Sequence, residues 1–423
     1  MQKIRSHIIC DKNILYFDYT ASGQAYRPIE KKILTILKTY ANTHSKVSSN
    51  ATKTTKYYEN ARKSLHKTLG AGDEFYIIPC GNGSTEAIKR FQELMGLYIP
   101  PATKNRLNMA GFKPPLVLVG PYEHHSNEVS FREALCELAR IPLNKKGDID
   151  LGVLKTILEI NKGREIIASF SIASNVTGIL SDYKEIYKII KSYGGIAAFD
   201  AATASAHMNI DSKFYDALFL SPHKLLGGVG SCGILVIKKE LCKDNITPTF
   251  AGGGTVEYVS RTSQYYSSDF ETRENAGTPG ILQFIKASLA YELRNQIGLD
   301  VIAQKERELR YYFGSNVKKM PHVSLYCNYA QEKLPIFSLN INGLNPYDAA
   351  KILSDKYGIQ VRAGCNCAGP YGHDLLELED DNDHNEKPGW IRVTLHFTHT
   401  KEEIDKLLSA LWEIQESIPN STF

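Results

Sequence analysis

The chain of 423 residues has no apolar run approaching the roughly 20 residues that a membrane-spanning helix needs. It carries little excess charge. Its 50 Lys and Arg stand against 46 Asp and Glu, a formal net charge of +4. Such a balance lacks the strongly basic face of a nucleic-acid protein. Eight cysteines in a chain of this length are too sparse for a disulfide scaffold. The amino-terminal stretch has only a short apolar segment and an early Asp11, which is not the pattern of a secretory leader. There is no internal repeat of fixed period and no low-complexity tract. What is present is ordinary for a globular chain: 43% hydrophobic and 23% charged residues, which argues against intrinsic disorder. The length predicts roughly two to three domains. Together these features predict a cytoplasmic enzyme with reduced thiols, with neither membrane nor nucleic acid as a partner.

Strand-like and helix-like segments alternate for most of the length. Apolar runs of strand length cover residues 74–80, 116–119, 166–172, 196–200, 217–220 and 233–237. Helical spacing of apolar residues covers 28–41, 57–69, 84–97, 151–161 and 182–193. This alternation predicts a mainly parallel sheet with helices on both faces. The later part differs: one long helical stretch over 280–318, strands at 323–326, 336–341, 359–362 and 391–395, a helix at 346–357 and a closing helix after Thr400. A smaller α+β domain is expected there, with the boundary near 275–285. The Gly-, Pro-, Asp- and Asn-rich stretch 369–389 reads as a loop, and its acidic run, 377–383, as solvated surface.

Six segments carry groups with chemical potential. In Ser221-Pro222-His223-Lys224-Leu225-Leu226-Gly227-Gly228, an apolar strand runs into a lysine beside a histidine and glycines. A sheltered lysine there has a lowered pKa and a free amine; an exposed one is merely solvated. Asp200 ends the strand 196–200, where ligands bind in open α/β sheets. It either holds a protonated pyridine nitrogen or caps a helix. In Cys80-Gly81-Asn82-Gly83-Ser84-Thr85-Glu86, a strand turns into a helix whose free N–H groups suit a phosphate, unless the segment is an ordinary capping box. Glu123-His124-His125-Ser126-Asn127 offers an imidazole for stacking or proton transfer, or a surface His pair. Arg362-Ala363-Gly364-Cys365-Asn366-Cys367-Ala368-Gly369-Pro370 brings two thiols to a Gly-rich loop, either reactive or inert. Arg392, inside an apolar strand, suits a substrate carboxylate or an internal salt bridge.

Taken in chain order, these pieces resemble the class V aminotransferase family of pyridoxal phosphate (PLP) enzymes, and within it the cysteine desulfurase and selenocysteine lyase branch. The resemblance runs from Tyr16-Phe17-Asp18-Tyr19-Thr20-Ala21 to the final helix. It rests most on Ser-x-His-Lys followed by Gly, downstream of the strand-end Asp200. It implies an α/β chain of PLP-dependent transferase fold type I, with a mainly parallel seven-stranded sheet. The large PLP-binding domain then spans 15–280. A smaller C-terminal α+β domain takes 281–423 together with 1–14, and the chain forms a homodimer.

Position by position, the resemblance makes Lys224 the Schiff-base lysine, Asp200 the pyridinium partner and His124, or alternatively His125, the ring-stacking histidine. Asn175, in Ser174-Asn175-Val176-Thr177-Gly178, falls near the cofactor's phenolic oxygen. Ser84, Thr85, Ser221 and His223 become phosphate ligands, and Thr278, in Ala276-Gly277-Thr278-Pro279, reaches the phosphate of the partner subunit. Arg392, with Arg362, holds the substrate carboxylate. Cys367 falls on the catalytic cysteine of Arg-x-Gly-x-x-Cys. The implied reaction converts L-cysteine to L-alanine, leaves a persulfide on Cys367 and passes sulfur to an acceptor protein. Three departures stand out. Thr203 occupies the place of the usual Gln; Cys365 is an additional thiol, either resolving the persulfide or acting as the nucleophile itself; and the 369–389 loop is longer than in simple desulfurases. Thr203 and the long loop keep open another class V activity, an aminotransferase, epimerase or lyase acting on a different amino acid. A further reading makes Cys365, Cys367, His373 and His384 a zinc site, although the spacing is not that of a conventional zinc site.

Overall fold

The computed structural model describes residues 1–43, 47–109, 111–242, 247–328, 331–379 and 388–418. Its centre is a seven-stranded sheet built from β1 (Phe75–Cys80), β2 (Leu116–Val119), β3 (Glu137–Arg140), β4 (Ile166–Ser171), β5 (Ile196–Asp200), β6 (Ala217–Leu220) and β7 (Gly233–Lys238), in the order β1-β7-β6-β5-β4-β2-β3. All neighbours pair in parallel except at β7, which runs antiparallel to both β1 and β6. Strands β2, β4 and β6 are buried at every residue, as expected for parallel strands covered on both faces. Their apolar runs were therefore legible. Strand β3, with the sequence Glu-Leu-Ala-Arg, is partly exposed. An edge strand needs no continuous apolar run, so the hydrophobic pattern does not reveal it.

Four of the expected elements change. The long helical stretch divides into Ile281–Ile297 and Leu299–Val317, because Gly298 adopts φ 95° between them. The helix expected from residue 57 begins at Ser49; its first turns are polar and Thr-rich, which hides the amphipathic period. The stretch expected as a loop from 369 opens with a helix, Gly369–Leu376. Pro370 sits in its first turn, where the missing N–H costs nothing, and Tyr371 is buried. The segment expected as one strand at 359–362 serves two sheets. Ile359–Gln360 pairs in parallel with Leu15–Tyr16, while Arg362–Gly364 joins a four-stranded sheet with Val323–Leu325, Ile336–Ile341 and Trp390–Thr394.

That second sheet carries its own hydrophobic cluster with Leu309, Phe313, Leu353 and Leu411, and Phe17 belongs to it. Helix Ile281–Ile297, in contrast, packs Phe284, Ile285 and Tyr291 into the cluster of the central sheet. The segment 174–178 fastens the two sheets together. Val176 O accepts from Ser338 Oγ at 2.8 Å, and Gly178 O accepts from Leu334 N at 2.8 Å. Phe313 is fully buried, edge-on to Phe337 at 4.8 Å. Phe313→Ala is expected to lower stability by about 3–5 kcal/mol, the usual cost of emptying a buried Phe site, as measured by urea denaturation.

Candidate active site

The C-terminal ends of the parallel strands face one cavity of about 190 Å³. Beyond β1, helix Gly83–Leu94 begins without a side-chain cap. Its first amides are left for other acceptors, and Ser84 N–H donates to Ser221 Oγ at 2.8 Å. The Thr85 and Ser126 hydroxyls share a hydrogen bond of 2.7 Å. At Gly83 (φ +62°) a Cβ would lie 2.8 Å from His223 Cε1 and 3.0 Å from Ser221 Oγ. Glycine thus lets the helix terminus close on the Ser221–Lys224 turn.

Asp200 ends β5 and accepts the Ala202 N–H at 2.8 Å. Burial raises its carboxyl pKa, against the backbone hydrogen bond and the pull of Lys224. Lys224 donates to Thr203 Oγ1 at 3.4 Å. Burial pushes its amine down to about 8 although Asp200 pulls it up; Arg392 adds to the depression. Both flanking imidazoles are kept neutral, chiefly by burial and then by Lys224: His223 falls to about 4 and His124 to about 3.

The two adjacent histidines part company. His124 lines the cavity and caps helix His125–Arg132, its Nδ1 accepting the Ser126 N–H at 3.1 Å. His125 does not line the cavity; its ring turns to the loop that carries Cys367. Below them Glu123, 1% exposed, accepts from Gly120 N, Ser171 N, Ser171 Oγ and Asn127 Nδ2. Burial raises its carboxyl to about 7.

The second sheet closes the cavity. Arg392, 2% exposed, donates to Asp18 Oδ1 at 2.8 Å and to Asn175 O at 3.2 Å. Arg362 stands opposite it on the neighbouring strand and lines the same cavity. The thiol loop follows. Ala368 N donates to Cys365 O at 3.1 Å across Asn366 (φ 53°) and Cys367 (φ 59°). Two successive positive φ values are the mark of a type I′ turn, which normally takes Asn and Gly. Cys367 is therefore held in backbone strain of about 1–2 kcal/mol. Asn175 Nδ2 binds Asn366 O at 2.7 Å, which leaves Asn175 Oδ1 buried without a hydrogen-bond partner among the described residues.

Thus Ser84, Thr85, His124, Asn175, Asp200, Thr203, Ser221, His223, Lys224, Arg362, Cys367 and Arg392 line one cavity. Thr278 does not; its hydroxyl accepts from Asn42 Nδ2 at 2.9 Å away from it. Cys365 packs against the central hydrophobic cluster instead of lining the cavity. Asp18, Glu123 and Asn366 belong to the site although their sequence context assigned them no role. Only their position inside recognised motifs hinted at it. Among the described residues, no three His, Cys, Asp or Glu side chains group as metal ligands. His384 and residues 380–383 of the acidic run lie outside the described residues.

The sequence profile of Aminotransferase class-V matches residues 15–407. The chain belongs to the class-V aminotransferase family. Within this family it is 29% identical to a probable cysteine desulfurase of Pyrococcus abyssi, over 99% of both chains. It is also 29% identical to a probable cysteine desulfurase of Staphylococcus epidermidis, over 96% of this chain and 93% of that one. Among solved structures it matches the apo cysteine desulfurase of Thermococcus onnurineus NA1 with TM-score 0.83 and 26% identity, over 99% and 98% of the two chains. The cysteine desulfurase CsdA of Escherichia coli, 23% identical with TM-score 0.79 over 98% of both chains, shares the fold. The class-V chain is thus an enzyme with the PLP-dependent transferase fold type I. No described helix is long and apolar enough to cross a membrane.

The depressed Lys224 amine has a measurable signature. Below about 8 its neutral fraction falls tenfold per pH unit; above that it levels off. Reductive labelling of Lys224 by a small aldehyde in the cofactor-free protein, followed by peptide mass spectrometry, should plateau above about pH 8 while exposed lysines still gain label.

Proposed function

We propose that the chain is a PLP-dependent cysteine desulfurase that converts L-cysteine to L-alanine and leaves a persulfide on Cys367. The observation that carries this reading is the convergence of Lys224, Asp200, Arg392 and Cys367 on one cavity. The residues present fit the cofactor. The start of helix Gly83–Leu94, which has no side-chain cap at its N-cap residue and lies next to Ser221 and His223, suits a phosphate. A buried carboxylate at Asp200 suits a protonated ring nitrogen, and the depressed amine of Lys224 suits attachment to an aldehyde. Asn175 Oδ1, which has no hydrogen-bond partner among the described residues, fits a site with a further polar group to satisfy. When bound, PLP supplies an electron sink for a carbanion at the substrate's Cα.

The chain's own groups supply the rest. Arg392 and Arg362 bind the carboxylate of L-cysteine; Asp18 holds the Arg392 fork in plane. Neutral His124 offers its cavity-side ring face without repelling a cation, since burial keeps it uncharged. Lys224 Nζ carries protons between substrate carbon atoms, because an amine poised near 8 both gives and takes them at neutral pH. The Cys367 thiolate attacks the sulfur of L-cysteine. An S–S bond forms, the substrate's C–S bond breaks, its electron pair stays with the carbon, and that carbon takes up the proton released by the Cys367 thiol, carried by Lys224 Nζ, to become the methyl group of alanine. Cys365, packed away from the cavity, supports Cys367 as the nucleophile.

This reading extends to the assembly. The division into a PLP-binding domain over 15–280 and a smaller domain of 281–423 with 1–14 is supported by the two separate hydrophobic clusters. Thr278, on the surface and away from its own cavity, fits a homodimer in which it reaches the partner's phosphate site. The persulfide requires an acceptor protein, and a cytoplasmic location suits its thiol chemistry.

Two variants test the proposal. Cys367→Ala should keep the visible absorbance of the bound cofactor and lose persulfide and alanine formation from L-cysteine. Full alanine release by that variant rejects the assignment. Arg392→Lys should raise KM for L-cysteine at least about tenfold, the loss of one charge-assisted hydrogen bond; an unchanged KM rejects Arg392 as the carboxylate clamp.

A further inference from the structure

His125 holds the thiol loop at Cys367 and again two residues further on. Its backbone N–H donates to Cys367 O at 2.8 Å, and its side-chain Nε2 accepts the Gly369 N–H at 2.8 Å. Gly369 is the first residue of helix Gly369–Leu376, which has no side-chain cap of its own. His125 therefore caps this helix from another part of the chain, while its neighbour His124 caps helix His125–Arg132. The contact is close: a Cβ at Gly369 would lie 3.1 Å from His125 Nε2. Because Nε2 accepts, the neutral ring carries its proton on Nδ1.

The grip falls where the backbone is strained. Asn366 and Cys367 have φ values of 53° and 59°, and such a conformation persists only when its surroundings over-determine it. Asn175 holds Asn366 O. His125 holds the next carbonyl and the amide two residues on. The same dipeptide, His124-His125, thus presents one ring to the cavity and ties down the thiol with the other.

We propose that His125 is a positioning residue for Cys367: it keeps the nucleophile in its strained turn, in fixed register with the His124 side of the cavity. The proposal rests on the desulfurase reading for its kinetic consequence, but not for its structural one. In the holoenzyme, His125→Ala keeps the backbone bond to Cys367 O but removes the acceptor for the Gly369 N–H, which should loosen the loop after Cys367. Hydrogen exchange of the peptide containing Gly369 should speed up, and alkylation of Cys367 by iodoacetamide should rise about threefold or more as the thiol leaves its fixed pose. Single-turnover persulfide formation should fall about tenfold while KM for L-cysteine stays within about twofold, since a misplaced nucleophile affects the chemical step and not the carboxylate clamp.

His125→Gln can place an amide acceptor near Nε2 and should recover most of the rate and the slow exchange. Gly369→Ala, which crowds the same contact from the other side, should reproduce the loosened loop with His125 intact. Unchanged exchange and alkylation in His125→Ala, or equal losses in His125→Ala and His125→Gln, overturn the proposal. If wild type forms no persulfide, the desulfurase reading fails, while exchange and alkylation still decide the role of His125.

Discussion

The site depends on removing an amine and a carboxylate from water at one edge of a buried sheet. Asp200 ends one strand and Lys224 stands in the turn after its neighbour, and the bodies of both strands are apolar. Desolvation acts on them in opposite directions: it lowers the lysine and raises the aspartic acid, while their mutual attraction resists both changes. The balance leaves an amine near neutrality beside a carboxylate. Burial keeps the two nearest imidazoles, His124 and His223, uncharged, so the lysine does not share its cavity with further cations on that side.

The opposite wall follows a different logic. Arg392 is almost wholly buried, where an unpaired guanidinium would be strongly unfavourable. Asp18 and the Asn175 carbonyl keep it charged and fix its orientation. Asp18 comes from near the amino terminus, Arg392 from the last strand and Asn175 from the loop after β4. One ion pair thus ties three distant parts of the chain together at the cavity. Asn175 also binds the carbonyl of Asn366, so the buried Arg392 and the thiol turn share a support. The strain in that turn is tolerable because both neighbouring peptides are held.

Much of this was legible in advance for physical reasons. A fully buried parallel strand must be apolar, and a polar residue directly after it stands at the functional edge; Asp200 and Ser221–Lys224 follow that rule. A helix entered through glycine and small hydroxyl residues exposes amides, which marked Ser84 and Thr85. Elements that depend on their surroundings were obscure. Strand β3 is recruited at the edge by backbone pairing. Helix Gly369–Leu376 is stabilised by the burial of Tyr371 and by a cap from His125. Gly298 interrupts a continuous helical period that carries no other stop signal.

The sequence by itself determined the parallel α/β core, the order of the motifs and the chemical types available to the site, because these follow from local periodicity and from side-chain chemistry. Tertiary structure alone decided between neighbours of equal chemistry. It turned His124 to the cavity and His125 to the thiol loop, set Cys367 at the cavity and Cys365 in the hydrophobic cluster, and gave Arg392 its partner in Asp18. Adjacent residues in a chain differ little in composition, but successive side chains point in different directions. Which direction meets the cavity depends on contacts made across hundreds of residues.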